Sequence, residues 1–215
     1  MVDRVKKPAP GGSRADQARA TRRRIVDAGA ELFVAHGYGS VTLGQIALRA
    51  EVAVQTIYFH FGNKRSVLKE AVDVAAVGDD EPVPLLARPW MDEVRAETDP
   101  RRVVQIWVAS SREICERVAG IMAVVRDAAV VDEEMAEQWS VNEAQRATAF
   151  RTLAELLAER DALAAGLSVE DATDIVFALL SIEVYLLLVT TRGWTPHRWQ
   201  EWMTTTLTAA LLGEP

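Results

Sequence analysis

The sequence is poor in cysteine and histidine. Its 215 residues include one cysteine, Cys115, so no disulfide can form within the chain, which suits a reducing compartment. Ile114 beside it favours a small buried hydrophobic residue, with a reactive thiol as the alternative. The three histidines, His36, His60 and His197, lack the spacing of metal ligands. We therefore expect no metal and no cofactor.

Uninterrupted apolar runs are also short. The start of the chain, where Lys6 and Lys7 precede prolines and glycines, has no apolar core of a secretory signal. The most apolar stretch, residues 175–189, is interrupted by Ser181 and Glu183, so we expect a buried helix and not a membrane span. These features predict a cytoplasmic protein with no membrane partner.

Common enzyme motifs are missing as well. The sequence has no glycine-rich phosphate loop, no HExxH zinc motif and no nucleophile elbow, so we expect that the protein is not an enzyme. A pure interaction scaffold would account for an acidic helical body. It would leave the basic N-terminal third of the chain without a role.

Charge is distributed unevenly along the chain. Residues 1–70 contain twelve Lys and Arg against six Asp and Glu, whereas the other 145 residues contain twelve against twenty-five. Because attraction to phosphate acts locally, the basic third is expected to meet a polyanion. Five arginines cluster in this part: Arg14, Arg19, Arg22, Arg23 and Arg24. We expect Arg22 or Arg23 to contact phosphate, with a solvated helix start as the alternative.

Helical periodicity dominates after the first 14 residues. Apolar spacing predicts helices over residues 17–36, 42–50, 54–62 and 63–78, where Thr42 with Gln45 forms a capping-box pattern and Asn63 is a further cap. A proline-rich connector follows over residues 79–98, and strand signals are absent from the helical remainder. Two short helices joined by a tight break and packed on a longer helix predict a helix-turn-helix.

The third predicted helix carries side chains suited to nucleic acid. Gln55, Thr56, Tyr58 and His60 should lie outside the small apolar core. Gln can pair with adenine, and Thr and Tyr can donate to phosphates or touch thymine methyl groups. Lys64, at the start of the fourth helix, suits a phosphate clamp. Double-stranded DNA is therefore the expected partner.

One block of the sequence resembles the TetR family of bacterial transcriptional regulators. It reads VTLGQIALRAEVAVQTIYFHFGNKRSVLKEA, follows a helix of the type ATRRRIVDAGAELFVAHGYG, and has IYFHFGNK as its most specific element. The resemblance implies that the DNA backbone is held by Thr42, Tyr58, His60 and Lys64, and that the residues nearest the base edges are Val54, Gln55 and Thr56. Phe59 would lie against either a sugar or the core.

Two positions depart from the pattern of the family. Glu51 stands where the family often has glycine in the turn, and a positive φ there would cost a non-glycine residue about 1–2 kcal/mol. Ala53 stands where the family often has a small hydroxyl residue, so one cap or phosphate contact is expected to be lost.

The resulting expectation is an all-α protein. It has an N-terminal three-helix helix-turn-helix DNA-binding domain and a larger C-terminal helical domain for ligand binding and dimerisation. The expected divisions are a disordered basic arm (1–14), the DNA-binding domain (15–78), a connector (79–98) and the regulatory and dimerisation domain (99–215). The resemblance implies a repressor that is released from an inverted-repeat operator by a small-molecule effector.

The C-terminal domain is expected to form a homodimer through its last two long helices. The expected interface residues are Leu179, Ile182, Leu186, Val189, Trp199, Met203 and Leu207, with a monomeric core helix as the alternative. An effector pocket could be lined by Trp107, Met122, Trp139 and Tyr185, with Arg126 or Glu183 orienting a polar group. For each of these residues, ordinary core packing is the alternative.

Overall fold

The computed structural model describes residues 14–78 and 84–212, and this part of the chain is helical without any strand. The all-α prediction is confirmed. The helices are α1 (Arg14–His36), α2 (Leu43–Arg49), α3 (Val54–Phe61), α4 (Lys64–Val77), α5 (Pro89–Ala96), α6 (Pro100–Ala129), α7 (Glu133–Ala158), α8 (Val169–Leu179), α9 (Ile182–Tyr185) and α10 (Pro196–Leu212). A 3₁₀ turn, Leu85–Ala87, precedes α5, and a π-helical segment, Leu186–Thr191, continues α9. The predicted arm lies outside the described residues except for Arg14, which belongs to α1.

Side-chain caps define the starts of α2 and α4. The Thr42 hydroxyl accepts a hydrogen bond from the backbone N–H of Gln45, and the side-chain oxygen of Gln45 accepts one from the backbone N–H of Thr42. This is the capping box that the sequence predicts. The Asn63 side chain accepts from the backbone N–H of Ser66 and begins α4. Local hydrogen bonding therefore fixes where α2 and α4 begin.

The connector predicted over residues 79–98 contains a helix that the sequence analysis did not identify. Pro89 opens α5, where its fixed φ suits the first helical turn, and Met91 and Val94 are completely buried. Residues 79–83 lie outside the described part of the chain. The prolines in this region thus mark a helix start as well as a break.

Two apolar cores share α6. The first joins α1–α4 to the second half of α6 and includes Ile182 of α9. The second joins the first half of α6 to α5, α7, α8 and α10, and it contains Cys115. Burial raises the pKa of the Cys115 thiol to about 12, which favours the buried-hydrophobe interpretation over a reactive thiol. The N-terminal helices therefore pack directly on the C-terminal domain.

The most apolar part of the chain is interrupted. The segment Val169–Thr191 is long and apolar enough to span a membrane by length and composition. Only 33% of its most apolar window is buried inside the protomer. One continuous buried helix was expected here. Instead α8 ends at Leu179, and the Ser181 side chain accepts from the backbone N–H of Val184 to begin α9. An apolar face remains exposed, and Leu187 on it is 54% exposed.

Gly29 permits the close packing of α1 on α4. A Cβ atom at Gly29 would lie 2.7 Å from the Cγ1 atom of Val67, a stiff β-branched side chain. We predict that Gly29→Ala lowers the free energy of unfolding by about 1–3 kcal/mol through overpacking. Gly44→Ala is the matched control, because the nearest atom to its Cβ would be 3.8 Å away, and it should stabilise α2 by about 0.5–1 kcal/mol. Urea unfolding measures both, and equal effects of the two substitutions would contradict this account.

Candidate functional site

The helix-turn-helix is built on a small set of buried residues. Ile46 and Ala47 bury one face of α2, while Ile57 and Phe61 bury one face of α3. Between the two helices the chain turns through Glu51, whose φ is 55°. This packing leaves the opposite face of α3 on the surface, as a recognition helix requires.

The exposed face of α3 carries the polar and aromatic side chains that the sequence analysis singled out. Gln55 is exposed, Tyr58 is 57% exposed and Phe59 is 85% exposed. Phe59 therefore does not belong to the core, which was one of its two predicted places. The other predicted DNA-binding positions on α3, Val54, Thr56 and His60, are half-buried, and Thr42 before α2 is exposed.

Lys64 is engaged with the chain itself. Its ammonium group donates to the backbone oxygens of Tyr38 at 2.7 Å and Val41 at 2.9 Å, and it lies 4.1 Å from the centroid of the Tyr38 ring. Burial lowers the pKa of Lys64. The side chain thus ties the start of α4 to the loop that precedes Thr42. Sequence spacing suggested a phosphate clamp, but it could not show these two carbonyl partners.

Arg22 is likewise a structural clamp. Its guanidinium forms an ion pair with Glu70 of α4, donates to the backbone oxygen of His60 at 2.9 Å, and lies 4.3 Å from the centroid of the Phe61 ring. The C-terminal end of α3 is therefore held by α1 and α4 together. Arg23 pairs with Asp27 of its own helix at 3.0 Å. At least one of these two arginines was predicted to contact phosphate, and the structure gives each of them a partner within the protomer.

Comparison with known proteins identifies the helices of this site. The family profile described as "Bacterial regulatory proteins, tetR family" matches residues 25–71, which run from α1 through α2 and α3 into α4. This part of the chain is therefore similar to the N-terminal region of TetR-type regulators. The matched residues include α3, the helix that places Gln55, Tyr58 and Phe59 on the surface.

Three curated transcriptional regulators match different lengths of the chain. The chain is 47% identical over 55 residues to the uncharacterised HTH-type transcriptional regulator TtgW of Pseudomonas putida, a match that covers 26% of this chain and 41% of that protein. The match to SrpR of Pseudomonas putida has the same identity and covers 26% of each chain. The chain therefore matches less than two thirds of the length of either relative. The regulator YdeS of Bacillus subtilis is 27% identical over 171 residues, 79% of each chain.

Solved structures extend the likeness of fold to the C-terminal domain. NalD of Pseudomonas aeruginosa superposes with a TM-score of 0.68 at 23% identity, covering 93% of this chain and all of that chain. SmeT, solved as a complex with triclosan, superposes with a TM-score of 0.69 at 20% identity over 90% of this chain and 92% of that chain. About nine tenths of the chain thus has the fold of these two proteins.

Both departures from the TetR pattern have structural consequences. Glu51 adopts the positive φ for which glycine is favoured, as the sequence analysis anticipated. Ala53 is the N-cap residue of α3 and supplies no side-chain hydrogen bond to the helix start. The turn is therefore strained at Glu51, and the start of α3 has no side-chain cap at Ala53.

The predicted effector residues divide between the two cores. Trp107 and Tyr185 are buried in the second core. Trp107 packs edge-to-face on Trp90, and Tyr185 packs edge-to-face on Trp199, each with ring centroids 5.2 Å apart. Met122 is buried in the first core and Trp139 lies at its edge. Arg126 and Glu183 pair across α6 and α9 at 3.5 Å, with both side chains more than a third exposed. Core packing therefore accounts for the aromatic residues, as their helical spacing allowed.

A groove between α5, α6 and α10 is the larger of two described cavities. It has a volume of about 640 Å³, and none of the six predicted effector residues lines it. Its walls combine the Trp90 indole and the Arg102 guanidinium with the carboxylates of Glu93, Glu113 and Glu201. The lining residues, such as Glu93 and Glu201, are far apart in the sequence. Helical periodicity therefore did not reveal the groove.

The predicted dimer residues have different environments. Leu179, Leu186 and Val189 are partly exposed, whereas Ile182 is buried in the first core. Three other predicted interface residues are fully buried in the second core: Trp199, Met203 and Leu207. These three side chains form the inward stripe of α10, so they have no surface left for a partner. Apolar periodicity identified a stripe on α10 but could not distinguish an inward stripe from an outward one.

Glu51 offers a direct test of strain in the turn. We predict that Glu51→Gly raises the free energy of unfolding by about 0.5–1 kcal/mol, because relief of the left-handed strain exceeds the added chain entropy of glycine. Asp161→Gly is the control, since Asp161 also has a positive φ, of 50°, but lies between α7 and α8. Thermal unfolding compares the variants. A loss of stability on Glu51→Gly would show that Glu51 makes a contact worth more than its strain.

Proposed function

We propose that this chain is a homodimeric, cytoplasmic transcriptional regulator that represses genes from an inverted-repeat operator and is released by a small-molecule effector. The observation that carries the proposal is the exposed face of α3, which presents Gln55, Tyr58 and Phe59 on a helix-turn-helix scaffold. This face has the dimensions and chemistry of a helix that enters the major groove of DNA.

Recognition is divided between two sets of residues. Gln55, with its amide exposed at the N-terminal end of α3, is proposed to read a base edge, with Val54 and Thr56 beside it. Thr42 and Tyr58 are proposed to donate to phosphates. Phe59 is proposed to lie against the sugars, because its exposure supports that choice over the core.

The clamps described above refine the proposed roles of Arg22 and Lys64. Both cations lie next to the reading helices but are held by protein acceptors. Their positive charge still attracts phosphate over several ångströms, while their hydrogen bonds hold α3 and the start of α2 in place. Arg22 and Lys64 therefore act in this proposal chiefly by ordering the residues that touch DNA, and the same holds for the backbone of His60.

Two substitutions separate base reading from backbone binding. Gln55→Ala should change the sequence preference by about 1–3 kcal/mol at one base pair, because an amide that pairs with adenine is lost. Lys64→Ala should weaken binding to all duplexes alike and flatten the salt dependence. Gln145→Ala, at an exposed position on α7, is the control for removal of a surface amide.

Titration of labelled duplexes against protein over a salt series measures these effects. The proposal predicts tight, sequence-selective and steeply salt-dependent binding by the wild-type protein. Equal binding by wild type, Gln55→Ala and Lys64→Ala across the whole series would contradict it.

A homodimer is supported by the exposed apolar face of the C-terminal helices. Leu187 of the π-helical segment is 54% exposed and Trp202 of α10 is 37% exposed. Trp202 packs edge-to-face on Trp194, and Arg198 lies 4.1 Å from the centroid of the Trp194 ring. Tryptophan and arginine are the residues that most often dominate binding energy at interfaces. The proposed interface therefore consists of Leu179, Leu186, Leu187, Val189 and Trp202.

Charge placed on this face should separate the protomers. We predict that Leu187→Asp converts the dimer to a monomer at micromolar concentration, because a carboxylate would be buried against an apolar partner. Val141→Asp is the control, since Val141 is also an exposed apolar residue, at 45%, but lies on α7. Analytical ultracentrifugation gives the mass of each variant. A Leu187→Asp protein that remains dimeric would exclude this face as the interface.

Repression and effector release are proposed from the family and from named neighbours. NalD is described as a secondary repressor of a multidrug efflux pump, and SmeT was solved with triclosan. For this chain the effector is proposed to bind the C-terminal domain, where the Arg126–Glu183 pair is more than a third exposed and supplies polar groups. It must bind the DNA-incompetent arrangement more tightly, because equal affinity for both states shifts nothing.

A further inference from the structure

The turn between α6 and α7 and the first turn of α7 contact the start of α4 through two ion pairs of Arg65. The Arg65 guanidinium donates to both carboxylate oxygens of Asp132, with Nε at 3.2 and 3.3 Å and Nη2 at 3.1 Å. Its Nη1 atom lies 3.0 Å from a carboxylate oxygen of Glu134. The Asp132 side chain is only 17% exposed, so this contact is partly shielded from water. Arg65 and Asp132 are 67 residues apart in the sequence.

The Asp132 side chain also caps the start of α7. Its Oδ1 atom accepts from the backbone N–H of Met135, so the carboxylate caps α7 while it binds Arg65. The cap fixes the carboxylate relative to α7, and two-point binding fixes the guanidinium relative to the carboxylate. The orientation of α4 is thereby set by the first turn of a 26-residue helix of the C-terminal domain.

The other end of α4 is also held by the C-terminal domain. Arg117 of α6 donates to the backbone oxygens of Ala75 at 3.0 Å and Ala76 at 3.3 Å. These carbonyls belong to the last turn of α4, where helical partners are lacking. Cationic contacts from the C-terminal domain therefore hold α4 at both ends, which restricts rotation as well as translation of the helix.

The start of α4 is in turn connected to the reading helices. Lys64, adjacent to Arg65, donates to the backbone oxygens of Tyr38 and Val41, and Val41 precedes the Thr42 cap of α2. A shift of Arg65 would therefore be transmitted to the start of α2 over a short chain of hydrogen bonds.

We infer that Arg65 and Asp132 are a positioning pair that sets the angle of the helix-turn-helix relative to the C-terminal domain, and hence the spacing of the two reading heads in a dimer. This inference rests on the proposed function. The pair acts through geometry and not mainly through stability, because partly exposed ion pairs contribute little to folding. Loss of the pair should leave each head able to read its half-site but less strictly spaced from its partner.

A series of operators with altered half-site spacing tests the positioning role. The probe is an inverted-repeat duplex selected from a random pool by the wild-type protein, made also with one or two base pairs added or removed between the half-sites. Each added base pair moves a half-site by about 3.4 Å and rotates it by about a tenth of a turn, so rigid heads should lose affinity steeply. The measured quantity is the ratio of affinities for the selected and the altered spacing.

Asp132→Asn is the test variant, since asparagine is as good an N-cap as aspartate but cannot pair with Arg65 as an anion. We expect the affinity ratio to fall by about threefold or more, as for other coupled contacts. Asp99→Asn is the matched control, because Asp99 caps α6 through the backbone N–H of Arg101 and is exposed. The control should keep the wild-type ratio.

Arg65→Gln provides an independent variant in case Asp132→Asn weakens α7. It should lower the ratio at least as much as Asp132→Asn does, because it removes the contacts with both Asp132 and Glu134. The double variant should have no larger effect than Arg65→Gln alone. Any direct loss of phosphate attraction at Arg65 cancels in the ratio, since it affects all spacings equally.

The outcomes separate this inference from the proposed function. Tight binding with an unchanged spacing ratio in Asp132→Asn and Arg65→Gln would overturn the positioning role and leave the proposed function intact. Failure of the wild-type protein to bind any duplex would overturn both. A lowered ratio in both variants, with the wild-type ratio in Asp99→Asn, supports the positioning role.

Discussion

The packing of α4 between α1 and α6 is the constraint on which the rest of the structure depends. Gly29 lets α1 approach Val67 of α4, and the other side of α4 packs on the second half of α6. Because these helices share one apolar core with α2 and α3, the reading face is packed against the C-terminal domain. Its orientation follows from contacts with the C-terminal domain.

Polar clamps add direction to this apolar packing. Buried apolar contact is strong but non-directional, whereas hydrogen bonds fix angles. Arg22 fixes the end of α3, Lys64 fixes the loop before α2, and Arg65 and Arg117 fix the two ends of α4. Several cations of the basic N-terminal third therefore have structural partners. The excess of positive charge that the sequence displays is only partly available to DNA.

Features that depend on neighbouring residues could be predicted from the sequence. The Thr42 capping box, the restart of helix at Asn63 and the positive φ of Glu51 are determined by residues within a few positions, and all three are present. The all-α fold and the helix-turn-helix follow from the same local patterns, whereas its TetR type was implied by the resemblance of one sequence block to that family. The break at Ser181 has an equally local cause, since a serine can start a new helix within an apolar stretch.

Features that depend on distant residues could not be predicted in this way. The Arg22–Glu70 pair joins positions 48 residues apart, so spacing offered only an exposed arginine near a DNA-binding motif. The inward stripe of α10 and the outward face of the π-helical segment are equally apolar in sequence, and only packing distinguishes them. Pro89 did carry a signal for α5, because proline favours the first turn of a helix.

The central claim is that the surface formed around α3 reads duplex DNA as one half of a symmetric pair. Selection of bound duplexes from a random pool by the full-length protein tests this claim most directly. The account predicts enrichment of one inverted repeat with half-sites about one helical turn apart or a multiple of it. A pool that remains random after repeated rounds at low salt would contradict it.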